Sequence, residues 1–400
     1  LVVTNYSYWL HIYKYGEGLG YFDTVVLDEA HNAPDELSKF LSIEIERHEI
    51  EGEHPIVEGV WPSPAPTGVS AWKLWASPLA DQAEELLETI RAELSINPLA
   101  AIKRGMSPWK LRGLSSLARR LRDLASIAGE WVVETGKKGG KVKFDPIWAA
   151  PYADMLFRGS TKVVLASATI RPKTGQLIGI NPQDLDFMEC PSTFPKENRP
   201  FIWVPTVRLS SNSTDGDLRL WLDRIDEIVG QRLDRKGIIH TVSYARRDLI
   251  LEHSIHAAHM ISHATESAEF TVSKFKTGRY RVLVSPSMAT GWDFPGDECR
   301  YQIIAKVPFP DLRTPITRAR MKKDSEYLDY LTAQQIVQTY GRGVRSPDDW
   351  CECIVVDDNC DWFIRKARKF LPRWFKEAIR PPVRIFDLAP LNPNGTERRA

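Results

Sequence analysis

Tyr21-Phe22-Asp23-Thr24-Val25-Val26-Leu27-Asp28-Glu29-Ala30-His31 is a β-branched and aromatic run that breaks off in two adjacent carboxylates. Such a run reads as a buried parallel strand delivering its polar residues at the carboxyl end. A second run of the same form, Lys162-Val163-Val164-Leu165-Ala166, ends in Ser167-Ala168-Thr169. Two strands of one kind, far apart in sequence and each ending in side chains able to carry chemistry, predict an α/β layer interrupted by an insertion.

Working outward, the intervening segment has a different character. It opens on Trp61-Pro62-Ser63-Pro64-Ala65-Pro66 and passes into two helical patterns, Leu79, Ala83, Leu86, Ile90, Leu94 and then Leu111, Leu114, Leu117, Leu121, Leu124. One apolar stripe per helix predicts an antiparallel pair. Trp131–Glu134 and Lys141–Phe144, flanking Gly136-Lys137-Lys138-Gly139-Gly140, read as a hairpin. After Pro195 strands and helices alternate: strands at 201–204, 237–240, 260–262, 281–284, 301–305 and 353–356, with helices at 218–233, 246–256, 266–276 and 325–340. That rhythm implies right-handed crossovers and a helix-covered parallel sheet. The expected domains are 1–45 with 130–190, an insertion at 46–129, and 191–400.

Composition sets the broad class. With 400 residues, 43% of them hydrophobic and 26% charged, the chain is long enough for two or three buried cores and unlike a disordered or collagenous one. No apolar run is long enough to span a bilayer. Lys+Arg 53 against Asp+Glu 52 leaves a net charge of +1, so a polyanion would need a local groove. The five cysteines are too few and too unevenly spaced for a disulfide framework, which favours a reducing compartment.

An aspartate in the place of Asp28 can hold Mg²⁺ through water, while a following glutamate orients or deprotonates an attacking water. A solvated turn or a charge pair at a helix N-terminus is the bland alternative. Far downstream, Gln338-Thr339-Tyr340-Gly341-Arg342-Gly343-Val344-Arg345 puts two arginines across a glycine-bearing turn at a helix end. There they would reach a γ-phosphate, or simply form a surface ion pair. Cys351, Cys353 and Cys360 lack an evident fourth ligand and read as buried thiols, and His253, His256, His259 and His263 straddle a helix end and a strand. Arg119, Arg120 and Arg122 read as a solvated helix face or a nucleic-acid contact, and the tail bearing Lys366, Arg368, Lys369, Arg373 and Lys376 as an amphipathic packing helix.

Taken in order, Asp28-Glu29-Ala30-His31, Ser167-Ala168-Thr169, Ser287-Met288-Ala289-Thr290-Gly291-Trp292-Asp293 and Gln338 to Arg345 resemble the motifs of superfamily 2 helicases, most closely the XPD/DinG branch. Asn5-Tyr6-Ser7-Tyr8-Trp9-Leu10, Asp145-Pro146-Ile147-Trp148 and Pro308-Phe309-Pro310-Asp311-Leu312 sharpen the likeness, which covers nearly all of the chain outside the helical insertion. The resemblance implies an α/β fold with two RecA-like parallel-sheet domains, the first incomplete, and an arch-like helical insertion. It implies an ATP-dependent DNA helicase moving 5′ to 3′ on single-stranded or forked DNA as a monomer, without a membrane, cytoplasmic or, in a eukaryote, nuclear.

By the same resemblance Asp28 would hold Mg²⁺ through water and Glu29 would act on the hydrolytic water. Gln338, Arg342 and Arg345 would reach the γ-phosphate of ATP. Gly291 and Asp293 would contact the nucleotide and couple it to the nucleic-acid face, and His31, Ser167 and Thr169 would link the acidic box to domain movement. Ser243, Tyr244 and Thr290 would touch the nucleic acid, although Ser243 suits a plain helix cap equally well. One departure stands out: the 400 residues contain no G-x-x-x-x-G-K-[ST] loop. Gly136–Gly140 opens no helix and reads as a hairpin turn. The family's phosphate loop, and any iron–sulfur cluster, would lie upstream of Leu1, so the chain reads as the C-terminal two-thirds or so of a longer protein and is expected to bind ATP poorly alone. A non-catalytic nucleic-acid-binding protein on the same scaffold, or an RNA-remodelling ATPase, are the competing expectations.

Overall fold

The computed structural model describes residues 1–53, 55–96, 108–136, 139–263, 268–286 and 292–391. The chain divides into two compact units, Leu1–Leu185 with Asp311–Ser325, and Asp186–Pro310 with Glu326–Ala400.

The first unit runs α1 (Tyr6–Tyr15), β1 (Phe22–Leu27), α2 (Ala33–Leu41), β2 (Ile43–Glu46), α3 (Val69–Ile96), α4 (Pro108–Ser126), β3 (Trp131–Thr135), β4 (Lys141–Pro146) and β5 (Ser160–Leu165). β1 and β5 pair in parallel from Phe22 opposite Ser160 to Leu27 opposite Leu165, so the acidic box and Ser167 leave neighbouring strand ends together. Helix α1 starts where Asn5 accepts the Tyr8 amide at 2.7 Å, an N-cap in the sense its residue type favours.

Helices α3 and α4 are antiparallel: Lys73 Nζ donates to Ile127 O at 2.7 Å, and Arg122 bonds Asp81 at 2.6 Å and Glu84 at 2.5 Å. Their contact buries Ala76, Leu79, Ala83, Leu87 and Ile90 against Leu114, Leu117, Leu121 and Leu124. The stripe on α3 follows the sequence reading at Leu79, Ala83 and Ile90 and departs from it at one position. It buries Leu87 and leaves Leu86 exposed, because the face is centred on the line through Trp72, Ala76, Ala83 and Ile90. The hairpin β3–β4 is present, and β2 extends it to a three-stranded antiparallel sheet in the order β2-β4-β3. Gly136 donates its N–H to Lys141 O at 2.8 Å and Gly139 has φ of 64°, so this glycine-rich stretch is a strand turn; Lys137 and Lys138 lie outside the described residues.

A helix at Pro315–Lys323, within the span expected for the second domain, packs on this first unit. Arg320 fastens it by donating to Ile147 O at 2.8 Å and Ser38 Oγ at 2.6 Å, and Lys323–Glu130 and Lys173–Asp324 add ion pairs at 2.6 Å each.

The second unit runs β6 (Phe201–Val207), α5 (Asp215–Gly230), β7 (Gly237–His240), α6 (Tyr244–His253), β8 (Met260–Ser262), α7 (Ala268–Thr277), β9 (Val282–Ser285), β10 (Tyr301–Ile304), α8 (Tyr327–Tyr340), β11 (Glu352–Asp357) and α9 (Asn359–Lys366). All six strands are parallel in the order β6-β11-β10-β7-β9-β8, as the alternation requires. Strands covered on both faces read as continuous apolar runs, and β7, β9, β10 and β11 are buried at every position. Within this core Arg232 and Glu352 form an ion pair at 2.8 Å with both side chains 0% exposed.

Candidate active site

The carboxyl ends of β1 and β5 assemble one cluster in the first unit. Ala166 N–H donates to Leu27 O at 3.0 Å and Ala30 N–H to Ala166 O at 3.0 Å, which carries the strand ladder past both strand ends and holds the two motif loops side by side. Glu29 then turns into the left-handed region, with φ of 46° and ψ of 41°. That conformation is costly for a residue with a Cβ, and such strain collects at functional sites. It leaves the Glu29 side chain 61% exposed. Ser167 Oγ lies at the centre: it donates to Glu29 Oε2 at 3.2 Å, sits 2.7 Å from His31 Nδ1, and accepts the Thr169 amide at 3.2 Å.

His31 is buried, and its Nδ1 also lies 3.1 Å from Glu29 Oε2. Burial pulls its pKa below the usual histidine value, against the opposing pull of Glu29 and Asp35. Asp28 is exposed. One of its oxygens accepts the Glu29 amide at 2.9 Å, and Tyr6 Oη donates to its backbone carbonyl at 2.9 Å. Burial, followed by the nearby Asp28 and Glu29 charges, drives the Tyr6 hydroxyl well above its usual pKa. The first-unit residues singled out from sequence, Asp28, Glu29, His31, Ser167 and Thr169, therefore stand together.

A second cluster forms in the other unit, where α8 ends. Gln338 lies in the last turn of α8, and Arg342 and Arg345 follow on the turn beyond its Gly341 cap rather than on the helix itself. Both guanidinium groups converge on Asp293: Arg345 bonds its Oδ1 directly, and Arg342 approaches the same oxygen at 3.7 Å while donating to Trp292 O at 3.2 Å. Arg345 N–H also donates to Asp349 Oδ2 at 3.2 Å. Gly343, between the arginines, lies against the sheet so tightly that a Cβ would stand 2.3 Å from Cys351 Sγ and 2.7 Å from Gln302 Nε2. Only glycine fits there, and the fit fixes where both arginines leave the backbone.

Sequence reading missed the residues beneath this turn. His240 Nε2 lies 3.1 Å from Gln302 Oε1, and Gln302 Nε2 donates to Tyr340 O at 3.2 Å, so a buried polar chain joins the end of β7 to the last residue of α8. Burial pushes the His240 pKa down to about 4; the Gln302 bond opposes this and the Arg342 charge adds to it. Two otherwise apolar runs, Gly237–His240 and Tyr301–Ile304, each carrying one polar side chain, were the available signal.

Ser243 caps α6, its Oγ accepting the Arg246 amide at 3.4 Å, and Tyr244 is 43% exposed with Arg247 over its ring at 4.8 Å. Val242, just before them, is the other non-glycine residue at positive φ among those described, at 64°. Thr290 and Gly291 lie outside the described residues. The arginines of α4 pack within the first unit: Arg120 pairs with Glu49, Arg122 with Asp81 and Glu84, and Arg119 lies over Tyr15 of α1 at 4.5 Å. Among the described residues no group of three or more His, Cys, Asp or Glu could hold a metal, and no helix is long and apolar enough to cross a membrane. His263 instead bonds Ser285 at 3.0 Å, and Cys351, Cys353 and Cys360 are buried free thiols.

The α/β fold with its six-stranded parallel sheet is one that solved helicase structures share. Residues 235–378, which hold the arginine turn, match the family described as helicase C-terminal domain. The chain also shares the fold of XPD structures. The likeness to Xpd4 of S. tokodaii has a TM-score of 0.55 at 17% identity, covering 91% of this chain and 76% of that one. An XPD helicase matches with a TM-score of 0.51 at 13% identity over 89% and 68%, and an XPD structure labelled apo with 0.52 at 14% over 86% and 75%. The chain thus resembles XPD-like superfamily 2 helicases in its motifs and in its fold.

Proposed function

We propose that this chain forms part of an ATP-dependent DNA helicase of the XPD/DinG type, which couples ATP hydrolysis to 5′–3′ translocation on single-stranded DNA and to duplex unwinding. The observation that supports this most strongly is the hydroxyl of Ser167, which ties Glu29 to His31 and Thr169 at neighbouring strand ends. A surface charge pair needs no such connection, whereas a carboxylate that must sense and drive conformational change does.

The residues present suit ATP and Mg²⁺. Asp28 offers a hard, exposed carboxylate with no cation partner among the described residues, as a water-bridged Mg²⁺ needs. Bound there, the metal would neutralise charge on phosphate oxygens. Glu29, also exposed, orients a water and takes its proton, with its own oxygen held by Ser167. Arg342 and Arg345 supply guanidinium groups for a γ-phosphate, with Gln338 one helical turn before Arg342. Asp293 sets the directions of both arginines. Tyr244 and Ser243, with Thr290, are the nucleic-acid contacts in this reading, Tyr244 by presenting an exposed ring on which a base can stack.

The test is made with the full-length protein. DNA-stimulated ATPase activity, and unwinding of forked duplexes carrying a 5′ single-stranded tail but not a 3′ tail, are expected. Glu29→Gln should leave ATP affinity within about twofold and lower turnover by about 10² or more, since it removes the water-orienting carboxylate. Equal turnover in mutant and parent refutes the role of Glu29. Faster unwinding of RNA than of DNA of matched sequence would transfer the reading to RNA remodelling, and tight DNA binding without any ATPase would transfer it to a non-catalytic binding protein.

A further inference from the structure

The amino ends of the second unit's strands hold an arrangement the proposed reaction does not use, beside the arginine turn, whose Arg345 N–H shares Asp349 with Arg300. Gly237 of β7 pairs with Val282 of β9 and with Tyr301 of β10. One residue earlier the ladder continues, with Arg300 N–H donating to Lys236 O at 2.8 Å and Gly237 N–H to Arg281 O at 2.9 Å. Arg300, Lys236 and Arg281 therefore form a row of three cations across three adjacent strands. Like charges in directly opposed positions are destabilising.

The row borders a cavity of about 560 Å³, also lined by Arg235, Lys276 and Trp350. Three of its cations have carboxylate partners. Arg300 pairs with Asp297 at 2.8 Å and Asp349 at 2.7 Å, Arg235 with Asp234 at 2.8 Å, and Lys276 with Glu298 at 2.8 Å. The other two do not, among the described residues. Lys236 is fixed by donating to the carbonyls of Phe275 and Lys276, each at 2.7 Å, which holds the ammonium in place without neutralising it. Arg281 is exposed at the neighbouring position. Burial and then the Arg281 charge lower the Lys236 pKa, and Glu298 opposes them, as expected of two cations that feel each other directly.

We propose that this cavity is a binding site for a phosphate-class dianion, a pyrophosphate or phosphomonoester group held between Lys236 and Arg281. Such a ligand bridges the two uncompensated cations: the guanidinium offers a planar fork that matches phosphate oxygens, and the ammonium a fixed point charge. Arg300 and Arg235 lie over Trp350 at 4.7 and 5.4 Å and form a rigid wall behind.

The test measures thermal unfolding of the 400-residue chain in inorganic pyrophosphate against chloride at equal ionic strength. The parent midpoint should rise by about 5–10 °C once pyrophosphate reaches about a hundred times its Kd. Arg281→Met should fold, being an exposed substitution, and should bind pyrophosphate at least about tenfold more weakly. Its own midpoint in chloride should equal or exceed the parent's, because the repulsion is relieved. Arg342→Ala/Arg345→Ala should keep the parent's response, which separates this site from the proposed nucleotide site and makes the two readings fail independently. Oligonucleotides with a 5′-phosphate or a 5′-hydroxyl then identify the source: tighter binding of the phosphorylated one assigns the site to a chain end, equal binding of both with pyrophosphate competing assigns it to the free anion. An identical pyrophosphate response in parent and Arg281→Met, or a response lost in Arg342→Ala/Arg345→Ala, overturns the proposal.

Discussion

Gly343→Ala tests whether close packing positions the arginine turn. The added Cβ would stand 2.3 Å from Cys351 Sγ, 2.7 Å from Cys351 Cβ and 2.7 Å from Gln302 Nε2. The Cβ of Cys351 is rooted beside β11 and cannot rotate away, so the turn or the strand must shift. Overpacking of that kind costs about 1–3 kcal/mol. Displacing Gln302 also weakens its bonds to Tyr340 O and His240, at about 1 kcal/mol each. A total of about 2–4 kcal/mol follows, or a fall in Tm of about 5–12 °C for a unit of this size. The neighbouring Gly341→Ala is the internal control, since its Cβ would meet nothing nearer than Val337 O at 3.4 Å. Adding Cys351→Ala to Gly343→Ala removes the sulfur but leaves the Cβ, so about half the loss should return. Urea and thermal unfolding of the three variants measure this. A Gly343→Ala protein within about 0.5 kcal/mol of the parent, or one no worse than Gly341→Ala, refutes the packing argument.

Three other outcomes are expected. Arg342→Ala in the full-length protein should lower kcat by about 10² or more with KM for ATP changed only a few-fold, in steady-state ATPase assays, whereas proportional changes in both would place Arg342 in ground-state binding. His240 has its pKa pushed down to about 4 by burial, so between the unfolded value near 6.5 and that figure the unfolded chain binds the extra proton. Stability should therefore be full above about pH 6.5 and fall as the pH drops toward 4, by about 3 kcal/mol in all; in denaturant titrations His240→Asn should flatten that slope. Arg232→Met leaves the Glu352 side chain, 0% exposed, without its guanidinium partner, which should cost about 3–5 kcal/mol, while the double change Arg232→Met/Glu352→Leu should recover most of it.

The parts of the fold that were legible are those whose signal is local. β1 and β5 announce themselves by apolar runs that end abruptly in polar side chains, and the six-stranded sheet by the alternation of strand and helix patterns after Pro195. β2, Ile43–Glu46, went unread because four alternating residues directly after a helix carry too little pattern; its pairing with β4 lies a hundred residues away. The helix Pro315–Lys323 carried a readable start, Thr314 as N-cap and Pro315 behind it. Its place in the first unit depends on Arg320 meeting Ser38 and Ile147, contacts with no trace in local sequence.

The candidate site divides along the same line. Residue types and order single out Glu29, Ser167, Arg342 and Arg345, but what fixes their directions is tertiary: the left-handed backbone of Glu29, the shared hydroxyl of Ser167, and the burial of Gly343 against β11. Among the described residues the two non-glycine positions at positive φ, Glu29 and Val242, stand just beyond the carboxyl ends of parallel strands, one in each unit. A strand end that merely turned back to a helix would use glycine or asparagine there and avoid the cost. Glutamate at the first position keeps a side chain that glycine would remove. The strain at that position therefore supports the role proposed for the Glu29 carboxylate on grounds separate from any motif.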